Sequence, residues 1–282
     1  MGAPKIIWTI AGFDPSNGAG VTADLRTMAA HGCHGVAAIT ALTIQNTLGV
    51  RRVEPVRADI LAQTLETLLE DMPPAAIKIG MLATADNATI VASFLQALPQ
   101  PCPIVLDTIL LASSGAELLT PEGVTILRER LLPLATIVTP NRAEAAALTG
   151  LPATDAEALA VALRRMGCQA VVITGGDPVG GERVTFNPEG SATSAGSATD
   201  VLAYQLGSME SVEELSAPRI STRATHGTGC AFSTALACEL ALGASIPLAV
   251  TRAKAYVRRA LLNAPEVGHG KGPLGLEVAG RD

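Results

Sequence analysis

Lys5-Ile6-Ile7-Trp8-Thr9-Ile10-Ala11-Gly12-Phe13-Asp14-Pro15-Ser16-Asn17-Gly18-Ala19-Gly20 is the stretch that decides the fold. The apolar run Lys5–Ala11 reads as a buried strand. It ends on a Gly-rich turn, and the helical pattern Gly20–Ala30 follows without a breaker. Turn residues between an apolar run and a periodic run mark a strand–loop–helix unit. The alternation continues along the chain. Val36–Ala41, Ala76–Gly80, Ile104–Asp107, Thr136–Thr139 and Ala170–Thr174 read as further buried strands. Ala58–Asp71, Asn87–Leu98, Pro121–Leu132, Arg142–Leu148 and Asp155–Met166 read as the helices between them. Thr120-Pro121 and Thr154-Asp155 supply helix-entry signals. Two longer helical patterns, Gly229–Leu242 and Pro247–Leu262, close the chain. Such alternation predicts an α/β fold with a central, mostly parallel sheet flanked by helices on both faces. Ligands of such sheets gather at the carboxyl ends of the strands.

Nothing in the pattern divides residues 1–282, which we read as one domain. Asp177–Asp200, rich in Gly, Ser, Thr and Ala, reads as a surface insertion with an edge strand at Glu182–Phe186. The formal net charge of −6 and an aromatic content of 2% argue against a nucleic-acid binder. No apolar run is long enough to span a bilayer, and the start lacks a secretory layout. The five cysteines are scattered and form no CxxC pair, so neither a zinc site nor a disulfide framework is indicated. A soluble cytoplasmic protein is the expectation.

Several segments carry chemistry-bearing residues at strand ends or helix starts. Thr225-His226-Gly227-Thr228-Gly229-Cys230 stands where a loop becomes a helix. Its N–H groups and the helix dipole suit an anion. Cys230 in the first turn is placed where a thiol ionises more readily, with pKa values of roughly 3.5–7.5 in such positions. The competing reading is a glycine-rich helix start with a small buried Cys. Asp24 falls in the second turn of its helix, facing back towards the helix entry, unless it is a solvated carboxylate. Gln45, just past a strand, offers donor and acceptors that suit a heterocycle edge, or bonds backbone. Met81 at a strand end is a ligand wall or core packing. Asn141 and Glu144 share a helix-start face, as cation ligands or as a capping box. Gly268-His269-Gly270-Lys271-Gly272-Pro273 is a flexible tail or a loop folded back over a site.

Taken in order, these segments resemble the hydroxymethylpyrimidine/phosphomethylpyrimidine kinases of thiamine biosynthesis, within the ribokinase-like superfamily. The resemblance is collinear over nearly the whole chain. It rests on Ala11-Gly12 through Gly20 with Asp24, Thr40-Ala41-Leu42 with Gln45-Asn46-Thr47, and Lys78-Ile79-Gly80-Met81. Thr139-Pro140-Asn141 with Glu144, His226–Cys230 and Ala253-Lys254-Ala255-Tyr256-Val257 complete it. It implies ATP-dependent phosphorylation of 4-amino-5-hydroxymethyl-2-methylpyrimidine and then of its monophosphate, with Mg²⁺, in a homodimer. It implies Gln45 on the aminopyrimidine edge, and Ala19, Asp24, Met81 and Ile109 lining the same pocket. Asn141, Glu144 and Asp107 would organise Mg²⁺. Thr174, Thr225 and Asn141 would border the nucleotide. Gly227, Thr228, Gly229 and Cys230 would form the anion hole and reaction centre. Phosphoryl transfer asks chiefly for positioning and charge neutralisation, which this set supplies.

The chain departs from the family pattern at Asp107-Thr108-Ile109-Leu110, at Ala112-Ser113-Ser114-Gly115 and at Thr174-Gly175-Gly176-Asp177. In the last, Thr174 replaces a lysine that approaches the ATP phosphates. Lys271 or Arg142 would have to substitute for it. Two other readings stay open: a kinase for a B6 vitamer such as pyridoxal, and a non-catalytic pyrimidine-binding descendant.

Overall fold

The computed structural model describes residues 2–112, 115–176, 196–207 and 209–280. Nine strands run in chain order as Ile6–Phe13 (β1), His34–Asn46 (β2), Gly49–Pro55 (β3), Ala76–Ile79 (β4), Ile104–Leu106 (β5), Ile137–Val138 (β6), Ala170–Ile173 (β7), Ser197–Leu206 (β8) and Met209–Pro218 (β9). They form one sheet in the order β3-β2-β1-β4-β5-β6-β7-β8-β9. The six strands from β2 to β7 are parallel, as the alternation predicts. The antiparallel ends, β3 on β2 and the β8–β9 hairpin on β7, were not expected. The expected strand Glu182–Phe186 lies outside the described residues, and the expected insertion ends inside β8.

The helices are Gly20–Ala30 (α1), Ala58–Asp71 (α2), Ala85–Gln96 (α3), Pro121–Ile126 (α4), Arg142–Thr149 (α5), Ala156–Arg164 (α6), Thr228–Ala241 (α7) and Ile246–Leu262 (α8). A π turn and a 3₁₀ turn extend α4 to Leu134. Entry signals hold where they were read: the Thr120 hydroxyl accepts from Gly123 N–H, and Asp155 accepts from Ala158 N–H.

Side chains alternate across each strand, so both sheet faces are apolar and both need cover. Ile7, Val105, Ile137 and Val172 pack under α1, α7 and α8. Trp8, Ile10, Ile77 and Leu106 pack under α2 to α6. Burial of each such side chain contributes roughly 1.5–3 kcal/mol, so a bare face would cost much of the stability of the fold. The layering also fixes the site. The loop after β1 meets the start of α7, and Asp107 at the carboxyl end of β5 lies beside it.

That meeting depends on Gly227, which caps α7 at φ 84°. A Cβ there would lie 1.8 Å from the carbonyl oxygen of Gly18. Gly227→Ala is therefore expected to destabilise the protein by about 2–4 kcal/mol through left-handed strain and backbone overlap. Urea unfolding checks this, and a loss below about 0.5 kcal/mol would contradict the packing described.

Candidate active site

The loop after β1 and the loop before α7 are joined by one carboxylate. Asp14, 1% exposed, accepts from the N–H groups of Ser16, Gly18 and Ala19 and from the Ser16 hydroxyl. His226 Nε2 completes the set at 2.8 Å from Asp14 Oδ2. Burial works to raise the Asp14 pKa, but the bonds from His226 and Ser16 outweigh it and hold the group below the usual carboxylate range. The N–H groups of Thr228, Gly229 and Cys230 precede the first intrahelical bond, which Ala231 makes to Gly227. They are the donors a helix start leaves without internal partners. Ala19 lies beside Gly227, so the two loops share one rim. Thr225 is exposed at its edge, with its carbonyl accepting from the Thr228 hydroxyl.

An apolar wall adjoins this rim. Met81, Ala41 and Ala83 form a small buried cluster against which Val53, Ile109 and Leu118 pack. The loop glycine Gly12 makes room for it: a Cβ there would lie 2.9 Å from Met81 Sδ. Gln45 lies within β2 opposite Val50 of β3, not past the strand, because β2 runs on to Asn46 and turns into the antiparallel hairpin.

Asp24 is a correction. It does not line the wall, and it is not solvated. It is fully buried, with both oxygens bonded. Lys78 Nζ lies 3.1 and 2.9 Å from Oδ1 and Oδ2, Thr234 donates to Oδ1, and Thr9 donates to Oδ2. The face of α1 that carries Asp24 packs inward against β1 and α7. Lys78 was visible in the sequence only as part of a motif. A lysine inside a four-residue buried strand was the signal for it.

Asn141 and Glu144 make the capping box that their spacing allows. The Asn141 side chain accepts from Glu144 N–H, and Glu144 accepts from Asn141 N–H. Thr108 donates to the same Glu144 oxygen. Burial, and then Asp107, push the Glu144 carboxyl up to about 8. Asp107 is itself raised by burial against the pull of Lys78 and of Ser233, whose hydroxyl donates to it at 3.0 Å. Ser233, one turn into α7, was missed by the sequence reading. Two inward carboxylates, of which Asp107 raises Glu144, are a donor set that fits a hydrated divalent cation, which needs only one or two protein oxygens beside phosphates. Among the described residues no cluster of three His, Cys, Asp or Glu forms an all-protein cage.

Thr174 bridges Asn141 and donates its N–H to the Pro140 carbonyl, so these two of the expected residues lie side by side. The cations at this turn are not the expected ones. Arg142 is turned to the carbonyls of Ala153 and Thr154. Arg219 instead donates to the carbonyls of Gly175 and Gly176, and Lys254 pairs with Asp200, which accepts from Gly175 N–H. The C-terminal glycines fold back as a strap. Lys271 N–H donates to Thr47, Gly272 N–H donates to Arg223, and His226 N–H donates to Gly272.

Cys230 corrects the expectation of an easily ionised thiol. It is 7% exposed. Burial, with Asp107 and Asp24 nearby, pushes it up to about 12 despite the pull of Lys78.

Comparison with known proteins identifies the family. A family model described as phosphomethylpyrimidine kinase matches residues 14–275. The hydroxymethylpyrimidine/phosphomethylpyrimidine kinase of Synechococcus elongatus is 40% identical over 277 residues, 97% of each chain. The phosphomethylpyrimidine kinase of Clostridium difficile superposes with TM-score 0.73 at 33% identity, covering 91% of this chain and 99% of that one. The pyridoxal kinase of Staphylococcus aureus in complex with AMP-PCP and pyridoxal superposes with TM-score 0.82 at 30% identity, covering 98% and 95%.

The state of Cys230 is open to a direct check. Its alkylation rate by iodoacetamide, followed by peptide mass spectrometry on the ligand-free protein, is expected to keep rising from pH 7 to 10. A plateau below pH 8 would mean that the thiol ionises readily after all.

Proposed function

Because the chain belongs to the phosphomethylpyrimidine kinase family, we propose that it transfers the γ-phosphoryl group of ATP to the hydroxymethyl oxygen of 4-amino-5-hydroxymethyl-2-methylpyrimidine, and then a second one to the monophosphate. The observation that carries this reading is the loop after β1. Gly12 abuts Met81 on the apolar wall, and Gly18 abuts Gly227 and His226 at the start of α7. One loop therefore joins the apolar wall around Met81 to the start of α7.

In this reading Gln45 bonds the aminopyrimidine edge, and Met81 and Ile109 hold the ring. The hydroxymethyl oxygen attacks the γ-phosphorus as the bond to the β–γ bridging oxygen breaks, and ADP leaves. The N–H groups of Gly227, Thr228, Gly229 and Cys230 receive the charge that gathers on the phosphoryl oxygens. Cys230 is protonated at neutral pH and orients the hydroxyl, which loses its proton late. Asp107 and Glu144, with Asn141 beside them, would hold Mg²⁺, which neutralises charge on the phosphates when bound. Thr174 and Thr225 border the nucleotide, where Arg219 and Lys254 bring positive charge. The active form in this reading is a cytoplasmic homodimer.

The likeness to a pyridoxal kinase supplies the second reading. A coupled ADP assay with Mg²⁺-ATP separates the two. The pyrimidine alcohol is expected to give a kcat/KM at least about tenfold above that of pyridoxal, the discrimination a site gains by bonding polar groups that the wrong ligand leaves unpaired. A higher kcat/KM for pyridoxal would overturn the assignment, and pyrimidine binding without ADP release would make the protein a sensor.

A further inference from the structure

Lys78 sits in the middle of β4 with no exposed surface, and the reaction described above makes no use of it. Its ammonium is held on both oxygens of Asp24, at 2.9 and 3.1 Å. Asp24 is in turn fixed by Thr9 of β1 and Thr234 of α7. A Cβ on Gly80 would lie 2.8 Å from Lys78 Nζ, so the glycine leaves the ammonium its room at the strand end. Thr234 and Cys230 stand four apart on one face of α7, which puts Cys230 about one turn, roughly 6 Å along the axis, nearer the helix start. The charge of Lys78 is felt at Cys230 and at Asp107.

Stability alone does not account for this arrangement. A buried ion pair loses solvation comparable to its attraction, and apolar replacements of such pairs are often neutral or stabilising. What an apolar pair cannot supply is a fixed positive charge in a dry place close to the phosphoryl site.

We propose that Lys78 is a positioning residue of the reaction: its ammonium, anchored on Asp24, is a permanent positive charge behind Cys230 that supports the negative charge gathered by the first turn of α7 during transfer. The inference rests on the kinase reading. Asp24 then serves the reaction through Lys78 and not by touching the substrate. Charge fixed before the reaction acts without reorganisation, and a low dielectric preserves it over one helical turn.

The test compares wild type, Lys78→Met, Asp24→Asn and the double variant, by kcat and pyrimidine KM in the ADP assay and by urea unfolding. An inactive wild type would overturn the kinase reading and this inference with it, whereas an active wild type leaves the variants to decide this inference alone. Lys78→Met is expected to lower kcat roughly 10–100-fold with little change in KM, below the 10²–10³ typical of a donor in direct contact. It also leaves Asp24 unpaired and lowers stability. The double variant, which buries no charge, is expected to regain stability without regaining kcat. Recovery of both would make the pair purely structural and overturn the proposal. If the double variant does not fold, Asp24→Asn decides: it keeps the cation, so its kcat loss should be clearly smaller than that of Lys78→Met, and an equal loss overturns the proposal.

Discussion

The Asp14 carboxylate is the constraint on which the site depends. It is buried at the end of β1 and accepts from three backbone N–H groups, one hydroxyl and the ring of His226. Charge-assisted bonds of this kind are about twice as strong as neutral ones. With both oxygens committed, the loop Gly12–Gly20 has one shape, and His226 carries that shape to the start of α7. The close approach of Gly227 to Gly18 follows from it. The wall around Met81 and the donors of Thr228–Cys230 are therefore placed by one acid, although about 150 residues separate them in sequence.

Behind that rim the protein concentrates charge where water does not reach. Lys78, Asp24 and Asp107 are buried in a single layer under α7. The Cys230 thiol responds by staying protonated, and Glu144 by holding its proton towards neutral pH. A helix N-terminus by itself favours a thiolate, but here desolvation and two carboxylates win. Such a site waits for cationic partners, and phosphates arriving with a divalent ion would supply them.

Much of this was legible in the sequence. The bounds of α1 and α2 follow residue by residue from the helical pattern, and the six parallel strands follow from short apolar runs. The sheet ends did not. β9 carries Glu210, Glu213 and Glu214, poor strand formers on an exposed edge, and is held by its pairing with β8. β2 continues past Ala41 because Thr43 faces inward while Leu42 and Ile44 face out, a pattern too short to separate from a loop. Among the site residues, loop and helix-start positions were readable as local motifs. Asp24 was misplaced because a helical position says nothing about a partner 54 residues away, and Lys78, Ser233 and Arg219 were missed for the same reason.

The central claim is that the start of α7 receives the transferring phosphoryl group on a rim shared with the loop after β1. A crystal structure with the pyrimidine alcohol, AMP-PCP and Mg²⁺ tests it most directly. The account expects γ-phosphate oxygens within about 3 Å of the N–H groups of Gly227–Cys230, with the substrate hydroxyl between them and Cys230 Sγ. A γ-phosphate seated instead on the Thr174–Gly176 turn, with the α7 donors facing solvent, would contradict it.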